Sequence, residues 1–234
     1  MSLRHRCRQP EIMDQPGLSP ERHRRALRGL ARINFWSGSA RILWPGLRDL
    51  ARELAPRPPR VLDLATGGGD VPLRLWQRAH RAKVPFVLEG CDVSPVAVEH
   101  ARAAAAAVGA DVRFFVHDVL HGPPLSGYDA VTCSLFLHHL EDEAACELLQ
   151  RMRDTTGRLV LVNDLNRSLM GFLLAHVATR LLTRSDVVHT DGPRSVEAAF
   201  TPEEARQLAE RAGLRGASVV RRWPCRWLLT WRRP

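Results

Sequence analysis

The chain has 234 residues, of which 45% are hydrophobic and 25% are charged, as expected for a globular protein with one sizeable core. The polar N-terminus lacks the apolar stretch of a secretory signal. The longest apolar segment, residues 169–182, contains His176 and Arg180 and is shorter than the ~20 apolar residues that span a bilayer. We therefore expect a cytoplasmic protein without a transmembrane helix.

The net charge of +9 is concentrated at the two ends of the chain. Residues 1–60 hold 13 arginines and five acidic residues, and residues 215–234 hold six arginines and no acidic residue. Such ends suit nucleic acid, anionic lipid or an acidic substrate without selecting one of them. The five cysteines lack paired spacing, and Cys91 and Cys133 fall in apolar runs, so we expect buried, reduced thiols.

Residues 1–58 are predicted to form an N-terminal tail and helical cap. The first 18 residues contain prolines and a glycine that disfavour regular structure, so they are predicted to be the tail. Ser19 is the predicted N-cap of a helix that begins with proline and glutamate. A second helical stretch, residues 39–55, is predicted to be interrupted at Pro45.

Residues 59–234 are predicted to form one α/β domain, because strand and helix patterns alternate along them. The predicted strands read RVLDLA, FVLEGCDV, DVRFFVHDV, YDAVTCSLFL, GRLVLVNDL, ASVVRRW and CRWLLTWRR, and the last two resemble a closing hairpin. The pattern predicts a doubly wound, mostly parallel seven-stranded sheet with helices on both faces. Thr201 and Gly213 are the predicted caps of the last helix, which follows an insertion at residues 166–200.

The first predicted strand is followed by three glycines and then a helix, the position at which α/β proteins bind ligands. Gly67 and Gly69 lack Cβ atoms, so their backbone can adopt positive φ and a ligand can approach it closely. The dinucleotide fingerprint GxGxxG fails, because its third glycine would fall on Pro72. The pattern D-x-A-x-G-x-G fits instead, with Asp63 and Ala65 before the glycines.

Further polar residues follow the next predicted strands. Asp92 ends the second strand and Asp118 the third, while Asp129 opens the fourth and Ser134 lies near its end. Together with the glycine pattern, these motifs resemble, in the same order, those of the class I S-adenosylmethionine-dependent methyltransferases. That family has a Rossmann-like sheet of the predicted kind.

The resemblance covers residues 60–165 well and residues 200–232 in architecture only. It implies S-adenosylmethionine as the cofactor, with the acid after strand two accepting from the ribose hydroxyls and the acid after strand three from the adenine amine. The cofactor-binding residues that it implies are Asp63, Ala65, Gly67, Gly69, Asp70, Asp92, Val93, Asp118, Val119 and Ser134.

The segment DLATGGGDV also resembles the glycine motif of the ubiquinone and menaquinone C-methyltransferases. In that group, a segment with Asn, Ser-Gly, Arg and Trp precedes the motif, and Asn34, Ser37, Gly38, Arg41 and Trp44 resemble it with shifted spacing. We interpret the chain as a relative of this group with a different acceptor.

Methyl transfer is an in-line displacement, for which a protein aligns the reactants and excludes water. A phenolic acceptor, with a pKa of ~10, would benefit from a general base. His138 is a candidate for this base, and the predicted catalytic residues are His139, Asp164 and His189, the last in a predicted loop with Asp191. Asn163 and Asp164 lack a third matching carboxylate for a magnesium site, so no metal is predicted.

The insertion contains apolar residues at helical spacing, which predict either a core-packing helix or a lid over an aromatic or lipid-like acceptor. These residues are Leu169, Phe172, Leu173, His176, Val177 and Leu181. The predicted reaction is methylation, with oxygen the favoured atom, of a small hydroxylated aromatic, quinone or polyketide-like acceptor of bacterial secondary metabolism.

Three alternatives stay open: carbon methylation of a quinone precursor, RNA methylation through the basic ends, and a non-catalytic protein that kept the fold. The tetrapeptide of amino-methylating enzymes (Asn/Asp-Pro-Pro-aromatic) is absent after the fourth strand, so no stable nucleic-acid partner is expected. The terminal RRWPCRWLLTWRRP suits a peripheral membrane contact. Both a monomer and a homodimer are compatible with the sequence.

Overall fold

The computed structural model describes residues 3–15 and 17–234, which are built around a seven-stranded sheet. Its strands are Arg60–Leu64 (β1), Val87–Asp92 (β2), Val112–Val116 (β3), Tyr128–Ser134 (β4), Thr156–Leu165 (β5), Ser218–Arg222 (β6) and Arg226–Arg232 (β7). Their spatial order is β3-β2-β1-β4-β5-β7-β6. Strands β1 to β5 are parallel, and β7 runs antiparallel to β5 and β6. The predicted doubly wound sheet and the closing hairpin are confirmed.

Helices cover both faces of the sheet. In the described ranges they are Pro20–Ser37 (α1), Ser39–Leu54 (α2), Asp70–Ala82 (α3), Pro95–Ala107 (α4), Asp142–Thr155 (α5), Leu169–Leu182 (α6), Asp186–Ala198 (α7) and Pro202–Arg211 (α8). The predicted N-caps are confirmed: Ser19 accepts from the N–H of Arg22, and Thr201 forms a capping box with Glu204. None of the helices described is both long and apolar enough to cross a membrane.

The hydrophobic core is divided between the two faces of the sheet. On one face, α5 and α8 pack buried side chains such as Leu148, Met152 and Leu208 against Trp227 of β7. On the other, α2, α3 and α4 contribute a second buried cluster that includes Leu47. Because both faces are covered, the ends of the strands are where a ligand can reach the sheet.

The predicted interruption at Pro45 is wrong, since α2 continues through this proline. An internal proline costs a helix ~3 kcal/mol or more. Here the buried face of α2, including Leu43 and Leu47, packs into the core. Gly46 also approaches β5 closely, because a Cβ atom there would lie 3.3 Å from the Leu161 side chain. Tertiary packing therefore outweighs the local cost.

The predicted loop around His189 and Asp191 is also wrong, because both residues lie in α7. Adjacent Gly192 and Pro193 look like a helix break in the sequence. In the structure a Cβ atom at Gly192 would lie 2.5 Å from Cγ2 of Thr179 on α6. The glycine thus permits two insertion helices to pack closely, and the insertion is a helical pair.

The predicted tail is ordered against the domain over residues 3–15, although Pro16 lies outside the described residues. A short 3-10 helix spans Ile12–Asp14. The Arg6 side chain donates to the carbonyl of Ala198 at 2.6 Å, and the N–H of Ile12 donates to Asp191 at 2.9 Å. These bonds join the N-terminal segment to α7, which the composition of the segment did not predict.

Candidate functional site

A cavity of about 680 Å³ opens at the carboxyl ends of the parallel strands. Its walls come from the loop after β1, the ends of β2 and β4, helices α1, α6 and α7, and the N-terminal segment. Strand order reverses here, between β1 and β4, and such a switch point is where open α/β sheets bind ligands.

The glycine loop between β1 and α3 forms one side of this cavity. Gly67 and Gly69 have φ values of +55° and +75°, which glycine adopts without strain. A Cβ atom at Gly69 would lie 2.8 Å from the Phe114 ring, whereas one at Gly67 would meet only Leu27, at 3.9 Å. The N–H of Gly67 donates to Oδ2 of Asp92 at 2.8 Å. The loop is therefore held by β2 and leaves open space at Gly67.

Asp63 lies at the base of the cavity and is 3% exposed. Its carboxylate accepts hydrogen bonds from the hydroxyls of Thr66 and Thr132 at 2.9 and 2.6 Å. Burial raises the pKa of Asp63 to about 7, the two hydroxyls oppose that rise, and the nearby carboxylates of Asp70 and Asp92 add to it. A cation in the cavity would favour the ionised form, so this end of the site suits a positively charged ligand.

Two further carboxylates line the cavity farther along the sheet edge. Asp92 ends β2, and Asp118 lies two residues beyond the end of β3. Asp118 accepts the backbone N–H of His121 at 3.0 Å, and this bond is the main reason that its pKa is lowered to about 2. Val93 and Val119 add apolar wall between the acids. The edge thus presents anionic acceptors over an apolar surface.

The opposite side of the cavity contains a buried histidine–carboxylate pair. Nδ1 of His138 lies 2.6 Å from Oδ1 of Asp164, and the backbone N–H of His138 donates to Oδ2 at 3.1 Å. Burial opposes ionisation of Asp164, but the charge and hydrogen bonds of His138 outweigh it, and the pKa of Asp164 is lowered. An ionised Asp164 fixes the proton on Nδ1, which leaves Nε2 of His138 as the acceptor.

Glu11, from the N-terminal segment, lies next to the His138–Asp164 pair. Its Oε1 lies 3.8 Å from Nε2 of His138, and its Oε2 lies 3.8 Å from Nε2 of His139. Oε1 also accepts the Ser195 hydroxyl at 2.6 Å. The ligand atoms of Glu11, His138 and His139 lie within 4.8 Å of one another, a grouping that can hold a metal ion. The sequence did not predict a role for Glu11.

The three predicted catalytic residues have different positions. His139 lines the cavity, with its ring stacked on Phe136 at 5.8 Å between centroids. Asp164 lies behind His138 rather than on the cavity wall. Nε2 of His189 lies 2.9 Å from the carbonyl oxygen of Thr183, away from the residues that line the cavity. The fold therefore gathers His139 and Asp164 around His138 and leaves His189 outside.

Comparisons with known proteins agree with this geometry. Residues 61–157 match a family model described as a methyltransferase domain. Over 177 residues, the chain is 32% identical to a demethylmenaquinone methyltransferase of Deinococcus radiodurans, with 70% of this chain and 71% of the relative covered. The chain belongs to the class I S-adenosylmethionine-dependent methyltransferases.

A second relative is the demethylmenaquinone methyltransferase of Thermus thermophilus, which is 42% identical over 116 residues. That match covers 49% of this methyltransferase and 50% of the relative. The crystal structure of magnesium protoporphyrin IX methyltransferase from Synechocystis PCC 6803 with bound S-adenosylhomocysteine has a TM-score of 0.58 and 18% identity, with 84% of each chain covered. This similarity shows the shared fold.

S-adenosylmethionine is the cofactor of this methyltransferase, and unsatisfied polar atoms in the cavity fit it. Oδ2 of Asp70 and Oγ of Ser134 are buried without a hydrogen-bond partner among the described residues, and both residues line the cavity. Buried polar atoms in native proteins are nearly always hydrogen-bonded. These two atoms and the open space at Gly67 suit a ligand that carries hydrogen-bond donors, as this cofactor does.

The sequence also did not predict a role for Arg226, which lines the cavity of the methyltransferase and is 3% exposed. Its guanidinium donates to the hydroxyls of Ser37 and Ser39. Burial lowers the pKa of Arg226 to about 10, while the charges of Asp164 and Asp70 oppose that effect. The sequence signal for such a role is an arginine placed among apolar residues of a strand. Arg226 supplies one positive charge among the cavity's carboxylates.

Proposed function

We propose that this methyltransferase transfers a methyl group to the hydroxyl oxygen of a small hydroxylated aromatic acceptor, either a quinone precursor or a polyketide-like phenol. The observation that carries the proposal is the buried pair of His138 and Asp164 at a cavity with many apolar walls. Apolar side chains on the wall include Leu27, Leu30, Ile33, Val188 and Val196. Such walls suit an aromatic ring and keep water from the reacting atoms.

In this proposal, the cofactor occupies the side of the cavity with the glycine loop. Asp92 accepts from the ribose hydroxyls and Asp118 from the adenine amine, since each carboxylate oxygen has lone pairs beyond those used by the backbone N–H groups. Asp63 and Asp70 face the positively charged methionine part. When bound, S-adenosylmethionine supplies a methyl carbon activated by its sulfonium.

His138 acts as the general base in the proposed reaction. Nε2 accepts the proton of the acceptor hydroxyl, so that an oxygen lone pair is available to the methyl group that the bound cofactor would supply. Asp164 is a positioning residue that holds Nδ1–H, and its negative charge stabilises the imidazolium that results. Glu11, 3.8 Å from Nε2, adds a second negative charge. His139, beside it, contacts the acceptor in this arrangement.

Carbon methylation of a quinone precursor is the second candidate, and the similarity to two demethylmenaquinone methyltransferases favours it. The same proton transfer to His138 would then make a ring carbon, rather than the oxygen, the nucleophile.

Incubation with S-adenosylmethionine labelled at the methyl group and a panel of phenols, hydroquinones and resorcinols tests the proposal. We expect labelled product whose NMR spectrum has a methoxy signal, and loss of that product in His138→Gln. The matched control is His80→Gln, an exposed histidine stacked on Trp76 outside the cavity. A ring-methyl signal would select carbon methylation. Cofactor binding without transfer to any phenol would contradict the proposed acceptor class.

A further inference from the structure

Helix α6 is apolar on the side that faces away from the protein. The exposed apolar residues of this face, named here the outer ridge, are Leu169, Met170, Leu173, Leu174, Val177 and Leu181. Leu173 is 52% exposed, Val177 53% and Leu181 78%. Scattered exposed apolar residues are normal, but a continuous apolar surface of this kind usually marks an interaction site. The ridge therefore has the character of an interaction surface.

The β6–β7 turn extends the ridge at the N-terminal end of α6. Trp223 at this turn is 73% exposed and follows two exposed arginines. The turn contacts α6 directly, since a Cβ atom at Gly171 would lie 3.3 Å from Cβ of Cys225 and the N–H of Asn166 donates to the carbonyl of Cys225 at 2.9 Å. Tryptophan is enriched where proteins meet the interface between a membrane and water.

A group of arginines flanks the other end of the ridge. A groove between α1 and the C-terminal end of α6 is lined by arginines and by no acidic residue. These residues, named here the arginine group, are Arg25, Arg28, Arg32, Arg180 and Arg184, all exposed. Arg25 also pairs with Glu21 at 3.5 Å. The ridge thus has positive charge at both ends.

We propose that this face docks on the surface of an anionic phospholipid bilayer. The ridge and Trp223 would enter the interfacial layer, while the arginines contact lipid phosphates. Each basic residue near an anionic leaflet strengthens partitioning by about fivefold. The charge at both ends of the ridge favours such a surface over an apolar protein partner, because it matches a plane of phosphates.

Docking on a bilayer has a consequence for the acceptor. The opposite side of α6, with Ala175, Ala178 and Thr179, lines the cavity. An apolar phenol dissolved in the bilayer would therefore be separated from the cavity by the thickness of one helix. This step rests on the proposed function and restricts its acceptor to phenols with an apolar tail, whereas the docking itself requires neither catalysis nor cofactor.

Co-sedimentation of the full chain with phosphatidylcholine vesicles, with and without phosphatidylglycerol, tests the docking. We expect binding to the anionic vesicles that falls about tenfold in Val177→Glu, since the new carboxylate opposes both insertion and the anionic surface. The matched control is Val108→Glu, because Val108 is 48% exposed at the C-cap of α4, away from the ridge. It should bind as the wild type does.

A second pair of variants tests whether the positive charge of the arginine group contributes to vesicle binding. Replacing Arg28, Arg32 and Arg184 by glutamine should reduce partitioning by on the order of 100-fold. The same change at Arg78, Arg81 and Arg215, which are exposed elsewhere on the protein, alters the net charge equally. It should reduce partitioning into the vesicles far less. Equal losses in the two triple variants would contradict the docking surface, because they would reflect net charge alone.

Three outcomes overturn the inference: no binding to anionic vesicles, equal losses in Val177→Glu and Val108→Glu, or a dimer in analytical ultracentrifugation that Val177→Glu dissociates. The last would assign the ridge to a second copy of the chain. Failure here is distinguishable from failure of the proposed function, because water-soluble phenols would still be methylated. Conversely, vesicle binding without methylation of any phenol would contradict the proposed acceptor alone.

Discussion

His138 and Asp164 are joined by two hydrogen bonds, one from the imidazole at 2.6 Å and one from the backbone N–H at 3.1 Å. The paired bonds fix both the ring and the chain that carries it, so the turn after β4 is held to the end of β5. A base placed in this way can accept a proton without first reorienting, which is the condition for effective general catalysis.

Replacing His138 by glutamine should lower kcat by about 10²- to 10⁴-fold, the usual contribution of a general base. Asp164→Asn keeps the shape but removes the charge that fixes the tautomer, so kcat should also fall and the pH dependence of kcat should change. The cofactor Kd, measured by calorimetry, should stay near the wild-type value in both variants. A His138→Gln enzyme with wild-type kcat would show that the acceptor needs no base from the chain.

Cofactor affinity should depend on pH through Asp63. The pKa of this buried carboxyl is raised to about 7, against about 3.9 in an unfolded chain. Its contribution to the stability of the cofactor-free protein is therefore present below about pH 4 and lost as the pH rises through about 7. A cationic ligand prefers the ionised carboxylate, so affinity for S-adenosylmethionine should weaken below about pH 7, by up to tenfold per pH unit.

Calorimetry across this range, with Asp63→Asn as the comparison, measures that dependence. The variant should bind more weakly and with a flatter pH profile. An unchanged Kd for the wild type from pH 5 to pH 8, values that bracket the raised pKa of ~7, would mean that Asp63 does not face the charge of the cofactor.

Much of the fold was readable from the sequence because it depends on local patterns. Strands and helices alternate regularly and the acids fall at strand ends, so the sequence alone predicts that Asp63 and Asp92 lie at one edge of the sheet. The parallel direction of the strands follows from the same alternation, since parallel strands need helical crossovers.

The features that the sequence did not predict are determined by contacts between distant parts of the chain. Glu11 lies in a segment without periodicity, and only its contacts with His138 and Ser195 show where it belongs. Gly192 and Pro193 disfavour helix locally, so the sequence predicts a loop where α7 forms, whereas tight packing on α6 requires that glycine. No local pattern contains such information.

The two glycines of the loop should respond differently to alanine. At Gly69, a Cβ atom would lie 2.8 Å from both Ala101 and Phe114 in a left-handed backbone. Gly69→Ala should therefore lower the free energy of unfolding by about 2–5 kcal/mol, the sum of overpacking and backbone strain. At Gly67 the space is open, so Gly67→Ala should cost only about 1–2 kcal/mol.

Cofactor affinity should depend more on Gly67 than on Gly69, although protein stability depends more on Gly69. The open space at Gly67 is where the ligand approaches the backbone, so Gly67→Ala should weaken binding of S-adenosylhomocysteine while leaving the protein folded. Urea denaturation and calorimetry measure the two effects. A Gly67→Ala protein with unchanged affinity would indicate that the cofactor does not lie against this part of the loop.

Removing metal ions should leave the activity intact, although Glu11, His138 and His139 can together hold a cation. A metal ion on Nε2 of His138 would occupy the lone pair that the proposed base needs, and Oε1 of Glu11 already accepts a hydrogen bond from Ser195. We therefore expect kcat to be unchanged after dialysis against EDTA, and added Zn²⁺ to inhibit. Glu11→Gln should weaken that inhibition, since it removes an anionic ligand. Loss of activity on chelation, with recovery on adding one metal, would instead make the ion the activator of the acceptor oxygen and reduce His138 to a ligand.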